Sequence, residues 1–227
     1  MKKYVSILAV LLIAAVLSVS LGGCASGAKP ADGSFTIDFT KAKGPSLENT
    51  KQSDGSSFWI DNSWADFDRD VFKNVAPSVR WIYSESPVPD RNKWWQGFGA
   101  NDVKWNLSAY THATITYKAS RAGDDITFTL SEAHPAQARE ASTVFTTGTA
   151  DEWIELKIAL ADFTTPDGLN YLNKPFASPT WSNITGWLFG AGTVPSKEEA
   201  FLWIDSIVFT TEATAETVSE EVEEVVE

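Results

Sequence analysis

Residues 113–130 read ATITYKASRAGDDITFTL, and their pattern decides the fold class. Ala113, Ile115 and Tyr117 alternate with Thr114, Thr116 and Lys118. After the turn signal Arg121-Ala122-Gly123-Asp124, Ile126, Phe128 and Leu130 alternate with Thr127 and Thr129. Period two with one apolar face is the requirement of a half-buried antiparallel strand. The pattern recurs on both sides. Upstream, Phe35, Ile37 and Phe39 alternate with polar neighbours. Downstream, Ile154, Leu156 and Ile158 alternate with Trp153, Glu155 and Lys157. Shorter strands are expected at Phe58–Asp61, Val79–Tyr83, Trp94–Phe98 and Ile184–Phe189. A last one, Phe201–Phe209, is nearly continuous in apolar residues. No comparable helical period occurs beyond the first two dozen residues. The sequence therefore predicts an all-β chain, two antiparallel sheets closed as a sandwich or barrel.

The N-terminus belongs to export. Lys2 and Lys3 precede an apolar run from Tyr4 to Leu21, which ends in Gly22 and Gly23 before the only cysteine of the chain. That is the layout of a secretory signal. Leu21-Gly22-Gly23-Cys24 resembles the bacterial lipobox, which implies acylation of the Cys24 thiol and cleavage before it. The expected organisation is a signal peptide over 1–23, a flexible tether over 24–33, a β domain over 34–211 and an acidic tail over 212–227. Each buried CH₂ of a lipid chain contributes about 0.8 kcal/mol, so two or three acyl chains anchor firmly. The implied location is the bacterial cell envelope, lipid-anchored, on the periplasmic side or at the surface, with the membrane engaged through the N-terminal lipid. With Cys24 acylated, no thiol remains for a disulfide or a thiolate metal site.

Charge excludes one class of partner. The net charge is −12; Lys2 and Lys3 supply +2 and the tail's seven glutamates −7, so residues 25–211 carry −7. Such a chain lacks the clustered cations that phosphate binding needs, so nucleic acid is not a partner.

Four motifs stand in a recognisable order. Trp105-Asn106-Leu107-Ser108-Ala109-Tyr110 precedes a strand. Trp153-Ile154-Glu155-Leu156-Lys157-Ile158-Ala159-Leu160-Ala161-Asp162-Phe163 forms a strand and corner. Ile184-Thr185-Gly186-Trp187-Leu188-Phe189-Gly190 follows, and Leu202-Trp203-Ile204-Asp205-Ser206-Ile207-Val208-Phe209 closes the set. Through these, residues 34–210 resemble the galactose-binding-like β-sandwich superfamily, above all family 11-type carbohydrate-binding modules and the complex I intermediate-associated protein 30 domain. Ala159 stands where that pattern has proline, and Ser206 where it has a second aspartate.

The resemblance implies a jelly roll with one concave sheet, which in the carbohydrate-binding members holds a glycan. Sugars present flat C–H faces that stack on aromatic rings, while their hydroxyls need polar partners. All ten tryptophans follow the signal segment. Trp105, Trp153, Trp187 and Trp203, in or beside regular strands, are expected in the core. Trp94 and Trp95 are adjacent, so one must leave the core face of its strand. Trp64 and Trp181 lie in loop-like sequence. Arg80, beside Trp81 on a strand, carries donors for hydroxyls or a uronate. The candidate sugar-binding set is thus Trp64, Arg80, Tyr83, Trp94, Trp95 and Trp181, with Trp59, Trp81 and Tyr171 as further aromatics. The resemblance also implies a structural calcium between the first and last strands, with Asp38 and Asp205 as the matching carboxylates. The alternative for these two is hydrogen bonding to loop amides.

Catalysis has no comparable signal. The sequence has no Glu-x-Asp-x-x-Glu strand, and His112 and His134 do not stand in metal-ligand spacing. The expectation is a non-catalytic lipoprotein that binds a β-glucan-like polysaccharide at the cell envelope by aromatic stacking. The alternative is a structural or assembly protein of the envelope that uses the sandwich to hold a protein partner.

Overall fold

The computed structural model describes residues 33–40, 56–61, 63–74, 76–84, 96–133, 139–166, 178–191 and 198–211. The signal segment, Cys24, Trp94, Trp95, His134, Tyr171 and the acidic tail lie outside the described residues.

Among the described residues eleven strands follow one another: β1 Ser34–Asp38, β2 Ser57–Asp61, β3 Trp64–Asp68, β4 Ser78–Tyr83, β5 Gln96–Trp105, β6 His112–Ala119, β7 Asp125–Glu132, β8 Arg139–Thr146, β9 Trp153–Ala159, β10 Ile184–Ala191 and β11 Ala200–Thr210. A single 3₁₀ turn, Leu160–Asp162, follows β9. They form two antiparallel sheets, as the alternation predicted. Sheet A runs β3-β4-β11-β6-β9, with β1 also paired to β11; sheet B runs β2-β5-β10-β7-β8. The strands read from the sequence are present, β5 extending seven residues beyond Phe98. Two strands were not expected, β3 and β8.

β11 explains how one strand serves three partners. Residues Ala200–Ile204 pair with β4, Ser206–Thr210 pair with β1, and the opposite edge pairs with β6 from Leu202 to Thr210. The register against β6 slips between Ile204 and Ser206, so Asp205 is a bulge residue at the point where β4 gives way to β1.

The core lies between the sheets and is strongly aromatic. Phe98, Phe189 and Phe128 stack in sequence across β5, β10 and β7, with ring centroids 5.6 and 4.7 Å apart. Trp81 of sheet A meets Phe98 of sheet B at 5.5 Å, and Tyr117 meets Phe145 at 5.3 Å. Such offset and tilted pairs add about 0.5–1.5 kcal/mol each to their area burial. At positions 97 and 99 of β5, against β10, only glycine fits. A Cβ on Gly99 would lie 2.1 Å from the Trp187 carbonyl oxygen, and one on Gly97 would lie 2.8 Å from that of Phe189.

Parity fixes what each sheet turns outward. On β4, Val79, Trp81 and Tyr83 face the core, while Arg80 and Ile82 face out. On β9, Trp153 and Glu155 face out opposite Lys118 and Thr116. Of the four tryptophans expected in the core, Trp187 is buried there and Trp105 packs partly against it. Trp153 and Trp203 instead stand on the outer face of sheet A, half-buried.

Candidate functional site

The chain leaves sheet A after β9, turns through Leu160–Asp162 and reaches the edge of sheet B. There Thr164 pairs with Ser142 of β8, the Ser142 N–H donating to the Thr164 carbonyl at 2.9 Å and the Thr164 N–H returning at 2.8 Å. Beyond this bridge lies a cleft of about 380 Å³, lined by Leu160, Ala161, Phe163, Thr164, Thr165, Ser178, Pro179 and Trp181. It combines one indole, one phenyl ring and three hydroxyl side chains.

Trp181 is held from three sides. Its ring stands edge-on to Phe163, with centroids 5.6 Å apart. Its carbonyl accepts the Leu107 N–H at 2.6 Å. Its backbone has φ of 60°, in the left-handed region that costs a bulky residue free energy. Glu132, the last residue of β7 and only 2% exposed, fixes the segment on either side. Its carboxylate accepts the N–H groups of Thr180 at 2.8 Å and Ser182 at 3.0 Å, and the hydroxyls of both residues. Burial pushes the Glu132 carboxyl upward, but these hydrogen bonds outweigh it and hold the group below the usual glutamate value. A buried charge with this many donors serves as a fixed post for the Trp181 loop.

The cleft adjoins the outer face of sheet B. One register row across that sheet runs Trp59, Gly99, Leu188, Thr129 and Ser142, and the bridge continues it to Thr164 in the cleft wall. The Thr129 hydroxyl donates to Ser142 Oγ at 3.0 Å. At the far end the Trp59 indole N–H is buried with no hydrogen-bond partner among the described residues.

The sequence-predicted residues do not gather in one hollow. Trp181 lines the cleft. Trp64 lies on β3, a strand and not a loop, 55% exposed on the outer face of sheet A. Arg80 shares that face and is forked onto Asp66, with Nε to Oδ1 at 3.0 Å and Nη2 to Oδ2 at 2.5 Å. The Asp66 hydrogen bond raises the Arg80 pKa further above its already high value. Tyr83 is a correction. It is 1% exposed, inside the core beside Trp81, and its hydroxyl donates to Asp124 Oδ2 at 3.0 Å. Burial, then the Asp124 charge, push its phenol well above the usual range. An enclosed ring has no face to offer a sugar. Trp81 is enclosed in the same way, with its N–H on Ser63 Oγ at 2.9 Å.

The two carboxylates assigned to calcium are committed elsewhere. Asp205 Oδ1 accepts the N–H groups of Lys73 and Asn74 at 2.8 and 3.1 Å, and Oδ2 accepts Asn74 Nδ2 at 3.0 Å. Asp38 accepts the N–H and hydroxyl of Thr40 at 3.1 and 2.6 Å. Donor hydrogens hold both oxygens of Asp205 and Oδ1 of Asp38, and calcium asks for about six to eight oxygen ligands. Among the described residues no group of three or more metal-ligating side chains converges. For Asp205 the arrangement fits bonding to loop amides, the alternative reading of that residue.

Sequence reasoning missed Phe163, Thr164, Thr165, Ser178 and Glu132. The available signal was the clustering of hydroxyl residues in Phe163-Thr164-Thr165 and Ser178-Pro179-Thr180-Trp181-Ser182 around one tryptophan.

No protein-family model and no curated protein sequence matches the chain. Solved structures do. The family 11 carbohydrate-binding module of a cellulosomal cellulase of Clostridium thermocellum is 12% identical with a TM-score of 0.54, over 80% of this chain and 96% of that one. A family 11 module from the same organism in complex with a β-1,3-1,4-mixed-linked tetrasaccharide is 13% identical with a TM-score of 0.51, over 80% and 97%. A family 30 carbohydrate-binding module of a C. thermocellum cellulase is 14% identical with a TM-score of 0.49, over 79% and 99%. For the two family 11 modules the likeness at these identities is one of fold, and the fold is the two-sheet antiparallel jelly roll.

Proposed function

We propose that this chain is a non-catalytic carbohydrate-binding protein whose ligand is a β-glucan-like polysaccharide, and that the cleft at Trp181 is a binding site for it. The observation that carries the reading is the composition of that cleft. An indole fixed in place by the Glu132 hydrogen bonds stands beside the hydroxyls of Thr164, Thr165 and Ser178. A preset ring offers a sugar's C–H face its stacking surface at little entropic cost, and the hydroxyls both donate and accept, as sugar hydroxyls do. The volume, about 380 Å³, suits a few sugar units and falls within the usual range of ligand sites. The fold supports the reading by analogy only, since folds host many functions.

The absence of catalysis is part of the proposal. Glycoside hydrolysis asks for two carboxyl groups flanking the bond. The cleft's described lining carries none.

Affinity electrophoresis tests the reading. The full chain, kept in mild detergent, is run through gels containing soluble polysaccharides, with Trp181→Ala alongside. Retardation by a mixed-linkage glucan that Trp181→Ala weakens supports it. No retardation in any gel, with the protein folded, overturns it.

The location is proposed with it: an exported lipoprotein, acylated at Cys24 and held on the envelope membrane, on the periplasmic side or at the surface. Metabolic labelling with a radioactive fatty acid tests this. Label on the wild type that Cys24→Ser removes is expected, and an unlabelled wild type contradicts it.

A further inference from the structure

The outer face of sheet A is built unlike an ordinary solvated sheet face. Half of it is covered. The segment after β3 crosses it, its Lys73 and Asn74 amides bonded to Asp205 and its Lys73 ammonium 4.0 Å from Glu155 of β9. That accounts for the burial of Asp205 and Ser206, although both lie on the outward side of a bulged strand. The other half lacks such a cover among the described residues, and it is there that the aromatics stand.

Two cross-strand rows make it up. One is Trp64, Ile82 and Phe201; the other is Asp66, Arg80, Trp203, Lys118 and Trp153. Neighbouring strands lie about 4.8 Å apart, so Trp64 and Phe201 are spaced about 10 Å, as are Trp203 and Trp153. The Phe201 and Trp203 rings stack on one another, 5.7 Å between centroids with 25° between their planes, and so brace each other on this face. The Trp203 indole N–H is fixed by Asp68 at 2.9 Å, which orients the ring.

The charges of the face are spent on one another. Arg80 is forked onto Asp66, and Lys118 lies 3.8 Å from Asp151 and 5.5 Å from the Trp203 ring centroid. Among the described residues Asp66, Asp68 and Asp151 outnumber Arg80 and Lys118 by one, so this half of the face has no attraction for the glutamate-rich tail or for a strongly acidic protein partner. It does retain hydrogen-bond capacity, because the fork to Asp66 uses only two of the five N–H donors of Arg80. Rings set apart across the strands, with largely paired polar groups between them, match an extended uncharged glycan that stacks C–H faces on them.

We propose that the half of sheet A's outer face that carries Trp64, Arg80 and Trp153 is a second glycan platform, separate from the Trp181 cleft, which takes an extended neutral polysaccharide chain laid across the strands. It rests on the carbohydrate reading and extends it, since two separated sites on one chain raise avidity for a long polymer without any new contact.

The test uses the full chain and four proteins: wild type, Trp181→Ala, the platform pair Trp64→Ala with Trp153→Phe, and all three changes combined. Each is run through gels containing a mixed-linkage β-1,3-1,4-glucan, with circular dichroism to check folding and sedimentation to check mass. Trp153→Phe keeps an apolar ring so that the sheet holds. The expected result is residual retardation of Trp181→Ala, loss in the combined protein, and about three- to tenfold weaker binding by the platform pair alone. If the platform pair runs as wild type while Trp181→Ala abolishes binding, the second platform is overturned and the cleft stands. If wild type is retarded by no polysaccharide, the carbohydrate reading falls and the platform with it. If wild type sediments as a dimer that the platform pair dissociates, the occupant is a second copy of the chain and the proposal is wrong.

Discussion

The Glu132 carboxylate reaches from the end of β7 to the backbone N–H of Thr180, accepting it at 2.8 Å, and so fixes the residue that precedes Trp181. The same carboxylate accepts the Ser182 N–H on the other side at 3.0 Å. A strand end therefore positions the Trp181 indole of the cleft, and the consequences can be measured.

Glu132→Gln keeps the shape but replaces an ionised acceptor by a neutral amide with one donor end. Charge-assisted bonds to a buried carboxylate are worth about 1.5–3 kcal/mol, so this change should lower stability by about 1–3 kcal/mol. Glycan affinity should fall with it, because the loop holding Trp181 loosens. Denaturant titration and affinity electrophoresis of the same protein check both. Loss of stability with full affinity would break the link between Glu132 and the cleft.

The acid limb of stability should carry the same signature. The Glu132 carboxyl is pushed up by burial but held below its ordinary value by the Thr180 and Ser182 hydrogen bonds. Asp68 is likewise held low, where hydrogen bonds from Trp203, Asp70 and Val71 outweigh burial. A folded pKa below the unfolded one gives stability that is present above the unfolded value, near pH 4, and lost as pH falls through the folded value. Thermal melts from pH 7 to pH 2 should show Tm falling below about pH 4, with a shallower fall in Glu132→Gln. Identical acid limbs would remove Glu132 from the account.

Glycine substitutions on sheet B should separate sharply. A Cβ on Gly99 meets the Trp187 carbonyl oxygen at 2.1 Å, whereas one on Gly190 meets nothing closer than 3.7 Å. Gly99→Ala should therefore cost about 3 kcal/mol or more, and Gly190→Ala less than about 1 kcal/mol. Expression yield and chemical denaturation distinguish them. Equal stability of the two variants would contradict the close approach of β5 to β10.

Asp205 yields a metal prediction. Its oxygens are taken by Lys73 and Asn74 donors, so a chelator should leave Tm unchanged and added calcium should not raise it. Asp205→Ala leaves those donors unpaired at a buried site and should cost about 2–4 kcal/mol. A rise in Tm with calcium would restore the cation that the family resemblance implied.

How far the sequence could be read depended on local signals. Clean alternation placed β6, β7 and β9, and it already set Trp153 apart from Ile154, Leu156 and Ile158 on the opposite face. Tyr83 shares parity with Val79 and Trp81, so its burial was available in the pattern once Trp81 was placed inside. β3 was hidden because Asp66 and Asp68 are poor strand formers; their compensations are the Arg80 fork and the Trp203 N–H, which are tertiary. β8, Arg139–Thr146, packs Ala141, Thr143 and Phe145 inward, a face too small and polar to stand out. Trp203 was unreadable because the bulge at Asp205 switches the parity of β11. The cleft was hidden for a different reason: its hydroxyls and Trp181 come from segments brought together by the Ser142–Thr164 bridge and by Glu132, both long-range contacts.

The most direct test of the cleft is isothermal titration of the full chain with a β-1,3-1,4-mixed-linked tetrasaccharide, wild type against Trp181→Ala. The oligosaccharide is short enough to report a site rather than the avidity of a polymer. The account predicts measurable heat for the wild type, with affinity weakened about tenfold or more in the variant, the equivalent of about 1.4 kcal/mol. Equal binding by a folded Trp181→Ala would contradict it.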